Sequence, residues 1–191
     1  MSFYIHYPDD WIGVPQFGDG EVFATPRDWA TALVAEIAPA FRPKPRRRQR
    51  AALVDALALL GGSVQEIGAQ SGYIWIDTLE TAPFLVGSIP IPRSEVGDAP
   101  AVDIAGGRGD GDYVPPIVRD VVTDSGVPGV YVERHAPLDD RAVHVANLIG
   151  TYVFEVPEGF LMLGTSTTDF TAFERFRPHF EELARTVRWE D

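Results

Sequence analysis

The hydrophobic period of this chain changes twice, and that alternation constrains the fold more than any other feature. Trp29, Leu33, Ile37 and Phe41 recur at a spacing of four, which places them on one stripe of an α-helix. From Tyr73 onward the apolar residues gather instead in short aromatic and β-branched runs, at 73–78, 84–91, 117–123 and 129–135, each bracketed by turn formers. Such runs predict strands. The helical spacing returns at Phe173, Phe176, Phe180, Leu183 and Val187. Helices first, strands in the middle and a helix at the end predict an α+β fold: a mainly antiparallel sheet with two early helices and a C-terminal helix packed on it. At 191 residues, the chain is expected to form one domain over 1–191 and to bury roughly 70% of its unfolded surface.

Local signals set the expected boundaries. Residues 3–7 read as a strand stopped by Pro8, with Trp11, Val14 and Phe17 as apolar anchors in the loop beyond. Thr25-Pro26 is a helix start, because threonine can cap the free amides and proline at the first helical position forfeits no hydrogen bond. Pro43 and Pro45 are expected to end that helix. A second helix is predicted over 46–60, stopped by Gly61-Gly62 and mostly buried beyond its first turn. Residues 92–112, rich in Gly, Pro, Asp and Ala, read as an exposed loop. The clearest hairpin pairs 143–156 with 160–166 across Pro157-Glu-Gly159, which suits a type I turn. Pro178 inside the terminal stripe predicts a short turn followed by a helix over 177–188.

Those last elements carry a resemblance. Thr151-Tyr-Val-Phe-Glu-Val-Pro-Glu-Gly-Phe-Leu-Met-Leu-Gly-Thr-Ser-Thr-Thr168 and the aromatic helix from Phe173 to Trp189 resemble the end of PsbP-like domains, and Phe3-Tyr-Ile-His-Tyr-Pro-Asp-Asp-Trp11 is similar to that superfamily's first strand. The resemblance covers the two ends of the chain and implies an α/β/α sandwich. It also implies a binding or accessory role, since the superfamily holds photosynthetic subunits, an import factor and envelope lipoproteins, with no catalytic set to carry over. The chain departs from the exported members in having neither a signal segment nor a cysteine.

Charge singles out one segment. Arg42, Lys44, Arg46, Arg47, Arg48 and Arg50 supply six of the sixteen basic residues within nine positions that contain no acid. The chain carries a formal charge of −12, and the rest of it sets ten basic residues against 28 acidic ones. A nucleic-acid partner is not expected of so acidic a body. The segment could instead contact phosphate, an acidic partner protein or an anionic membrane surface, because arginines make planar bidentate contacts and Pro43 and Pro45 stiffen the stretch that presents them. The alternative is a solvated loop, or arginines paired with the chain's own carboxylates.

Other chemistry is thinly represented. With no cysteine, disulfides, thiol nucleophiles and thiolate metal sites are excluded. No Gly-x-Ser-x-Gly marks a serine hydrolase, and no catalytic residue or cofactor is expected. Glu133 and His135 share a strand face by two-residue periodicity, and with His144 they form the one candidate set for iron or zinc, although its acid precedes its histidine. Arg108, Asp110 and Asp112 lie in a glycine-rich stretch that could cradle an anion or a hard cation, yet it matches neither the phosphate-loop nor the calcium-loop pattern.

The longest apolar run, residues 51–62, contains Asp55 and falls short of the roughly 20 residues a membrane span needs. The N-terminus lacks the basic and apolar regions of a signal peptide, so a cytoplasmic location is expected. The leading functional expectation is a non-enzymatic binding or accessory protein engaging a protein partner. Two alternatives stand beside it: an immunity- or chaperone-type protein masking a basic client, and a small metal-dependent enzyme.

Overall fold

The computed structural model describes residues 2–79, 81–138 and 145–190. The fold is α+β. Strands β2 (Trp11–Val14), β3 (Ser71–Trp75), β4 (Phe84–Pro92), β5 (Ile117–Val122), β6 (Pro128–Pro137), β7 (Ala146–Val156) and β8 (Gly159–Thr167) make one antiparallel sheet in the order β2-β3-β4-β8-β7-β6-β5. β1 (Ser2–Ile5) pairs separately with β9 (Val187–Glu190), tying the two ends of the chain together. The helices are α1 (Pro26–Ile37), α2 (Arg47–Glu66), the single turns α3 (Arg93–Val96) and α4 (Ala101–Ile104), and α5 (Phe170–Arg185).

Strand alternation assigns each side chain to a layer. One sheet face presents Trp75, Phe84, Val86, Tyr131, Tyr152, Leu161 and Leu163 to α5, whose Phe173, Phe176, Phe180 and Leu183 are fully buried. Phe176 stacks on Phe84 with ring centroids 4.2 Å apart, and Phe180 meets Tyr152 edge-on at 4.8 Å. Such aromatic pairs add about 0.5–1.5 kcal/mol each beyond the area they bury. This explains why α5 begins at Phe170 and runs through Pro178, whereas the sequence predicts a start near 177. Proline in a helix interior costs about 3 kcal/mol, but three buried phenylalanines flank it. Asp169 caps the helix, accepting from the Ala172 N–H at 2.8 Å.

The other face is covered in two patches. Trp29, Ala30 and Val34 of α1 and Leu53 and Leu57 of α2 bury against Ile74, over the β2–β4 side. Ala105, packed with Val102 and Ile104, covers Val130, Val132, Val153 and Phe160 over the β6–β8 side. The 92–112 stretch is therefore a structured cover rather than an exposed loop.

Four further expectations are revised. Trp11, read as a loop anchor, lies in edge strand β2 opposite Trp75. Thr25 caps α1 as foreseen, accepting from the Asp28 N–H, but α1 ends at Ile37 and gives way to a 3₁₀ turn over Ala38–Ala40, which contains Pro39, ahead of Pro43. α2 does not stop at Gly61-Gly62. Gly61 is buried where a Cβ would come within 3.0 Å of the Trp29 ring, so its glycine permits close helix packing instead of ending the helix. Nor is α2 mostly buried, for Leu59 is 74% exposed and Ile67, just past its end, is 51% exposed.

Candidate functional site

The basic segment occupies the turn between α1 and α2. Arg46 is the residue preceding α2, and its backbone N–H is satisfied by Gln49 Oε1 at 2.8 Å. Arg47 and Arg48 open the first turn, where the helix dipole already places positive charge, and no acidic residue sits there to balance them. Arg42 donates through Nη1 to the carbonyls of Pro39 and Phe41, and Arg50 donates through Nε to the Pro45 carbonyl. These bonds hold two side chains without neutralising them. All six basic residues are exposed, and none forms an ion pair with a carboxylate among the described residues. Other arginines are paired, as in Arg27–Asp55, Arg93–Glu155 and Arg185–Asp124. The segment is thus set apart by the density of its free charge, since Arg119 and Arg188, exposed and likewise without a carboxylate partner among the described residues, lie outside any such cluster in the sequence.

On the α5 face, Glu133 and His135 lie together as the strand period predicts, with His135 Nε2 3.6 Å from Glu133 Oε1. His144 lies outside the described residues. Glu133 is nearly inaccessible, and its carboxylate is already engaged: Tyr131 Oη donates to it at 2.7 Å and the Arg177 guanidinium clasps both oxygens. Burial alone would push the Glu133 carboxyl up, but the hydrogen bonds from Arg177 and Tyr131 outweigh it and hold the group below its ordinary range. Burial, and then the bond to Glu133, push the Tyr131 hydroxyl well up. Arg177 also pairs with Glu174 at 2.7 Å and stacks over Phe173 at 5.1 Å. The arrangement ties α5 to β6. Among the described residues, no group of three or more His, Cys, Asp or Glu side chains could hold a metal ion.

The glycine-rich stretch divides its charges. Arg108 turns back onto Asp103 with two hydrogen bonds, while Asp112, 1% exposed at its side chain, receives Nε and Nη2 of Arg134 at 2.9 and 2.8 Å. Both oxygens of Asp112 are thus committed to structure.

A groove that the sequence reading did not foresee opens on the helical face, between the C-terminal half of α2 and α4. It encloses about 570 Å³, within the range of roughly 300–1,000 Å³ typical of small-molecule sites. Its floor is the middle of the sheet, where Gly87, Gly164 and Thr151 align in register across β4, β8 and β7. A Cβ added at Gly164 would meet no atom within 4 Å. The signal available in the sequence was glycine inside two strand runs, which marks a close approach or an opening.

No family model matches the chain, and no curated protein matches it in sequence. Among solved structures it is similar to the crystal structure of LpqN, described as involved in cell envelope biogenesis of Mycobacterium tuberculosis. Identity is 9%, the match covers 97% of this chain and 82% of that one, and the TM-score is 0.47.

Proposed function

We propose that this chain is a non-enzymatic binding protein that engages an acidic surface of a protein partner through residues 42–50. The observation that carries the reading is the free charge of Arg42, Lys44, Arg46, Arg47, Arg48 and Arg50, six exposed cations with no carboxylate partner among the described residues. Cations at a helix N-terminus oppose the dipole by about 0.3–1 kcal/mol each, and an acidic partner would relieve that opposition. The order of β7, β8 and α5 supports the PsbP-like reading of the chain's end, and with it an accessory role.

The test is a comparative pull-down from native lysate with the wild-type chain and with a variant carrying Arg46→Ser, Arg47→Ser, Arg48→Ser and Arg50→Ser. The reading expects an acidic partner that the wild type retains and the variant loses. Identical recoveries from both, or none from either, reject it.

A further inference from the structure

We propose that the groove between α2 and α4 binds an uncharged amphiphile, with an apolar chain laid over β4, β8 and β7 and a hydroxyl-, ester- or amide-bearing head held at Arg134 and Asn147. Central strands are normally the best-covered part of a sheet, because their apolar faces drive packing. Here Leu85, Ile89, Ile149 and Met162 remain only half-buried along that strip, since the two helical patches stop on either side. The wall on the α2 side is Leu60 and Ser63 with Ile67 just past the helix end, at the spacing of one helix face. Ser63 donates its hydroxyl to the Leu60 carbonyl at 2.8 Å, which leaves that wall largely apolar. The Gly87–Gly164 pair keeps the floor level. The Cβ that Gly87 lacks would fall 2.9 Å from the Ile67 side chain, so glycine there lets the wall come down onto the sheet.

The polar end settles the class of head group. Arg134, Asn147 and Ser166 line it. Arg134 is fixed by its two bonds to Asp112, while its Nη1 forms no hydrogen bond to a described residue and remains a donor. A carboxylate or phosphate head would bring a second anion to a guanidinium already matched by Asp112 and further influenced by Asp110. Burying that uncompensated charge is unfavourable. A neutral acceptor satisfies Nη1 without it, and Asn147 can donate to or accept from the same head.

The site stands apart from the partner-binding segment. They lie toward opposite ends of the 20-residue helix α2, a length of about 30 Å, so each can fail without the other.

Displacement of Nile red from the full chain by monolaurin, dodecanol and laurate, each below its micellar concentration at pH 8, tests the assignment. Monolaurin is expected to displace the dye saturably, with dodecanol weaker and laurate at least tenfold weaker. Gly164→Val should fold with an unchanged melting temperature, because its Cβ meets open space and valine suits a strand, yet bind monolaurin at least tenfold more weakly. Absent saturable displacement, or full-strength binding by the folded variant, overturns the groove as the site. Laurate binding as tightly as monolaurin overturns the uncharged polar head.

Discussion

Replacing Arg177 by Met removes the cation that compensates Glu133 while keeping most of the stem that packs over Phe173. The Glu133 side chain is 3% exposed and that of Arg177 23%, so the carboxylate left behind has the Tyr131 hydroxyl, His135 at 3.6 Å and almost no water. Breaking a buried pair from one side costs about 3–5 kcal/mol. At this chain length each kcal/mol moves the melting temperature by about 2–4 °C, so a fall of roughly 6–20 °C is expected. Glu133→Gln should cost less, about 1–3 kcal/mol, because the amide oxygen still accepts from Tyr131 and Arg177 keeps Glu174.

The pH dependence gives a sharper discriminator. In the wild type Glu133 is held below its ordinary range, so it contributes stability above the unfolded-state carboxyl value and loses it as pH falls through the depressed one. In the Arg177→Met chain, burial acts without its main opponent and the carboxyl moves above the ordinary range. That variant should therefore gain stability relative to the wild type as pH is lowered from 7 toward 5. Urea denaturation followed by circular dichroism across that interval measures both effects. A loss below about 1 kcal/mol, or parallel pH curves, would refute the picture of Glu133 as a desolvated, Arg177-compensated anion.

Two further perturbations test the helices. Gly62→Ala, whose new Cβ would lie 3.8 Å from its nearest neighbour, should stabilise by about 0.5–1 kcal/mol, whereas Gly61→Leu must enter the Trp29 ring and should destabilise by about 1–3 kcal/mol. If α2 ended at these glycines, as the sequence alone suggests, the first gain would vanish, and urea midpoints decide it. Pro178→Ala restores an N–H for the Glu174 carbonyl within α5 and should stabilise by about 1–3 kcal/mol. An unchanged or lowered midpoint would mean that the regular helix starts at 178.

The fold class was legible because period and composition agree wherever one face is buried: 84–91, 129–135 and the first half of 73–78 lie in strands, and the Phe173–Phe176–Phe180–Leu183 stripe became the buried side of α5. The errors arose where tertiary contact overrode a local rule. Gly61 read as a stop because the Trp29 ring that requires it lies on another helix. Pro178 read as a boundary because the aromatic layer that carries the helix past it is assembled from β3, β4 and β7. Residues 92–112 read as loop because a single helical turn is too short to show a period. At the site, the strand period placed Glu133 beside His135 correctly, but Arg177, the ion-pair partner of Glu133, is 44 positions away. The groove was invisible for the same reason: Gly87, Gly164 and Ile67 come together only once three strands and a helix have packed.

The central claim, that 42–50 is a partner-binding surface, is tested most directly by the salt dependence of binding to the recovered partner. Between 50 and 500 mM salt, affinity for the wild-type chain should fall steeply, since the screening length of exposed charges shrinks from about 14 Å to about 4 Å over this range. The Arg46→Ser, Arg47→Ser, Arg48→Ser, Arg50→Ser variant should bind weakly at both concentrations with a flattened slope. Equal affinities and equal slopes for the two proteins would contradict the account.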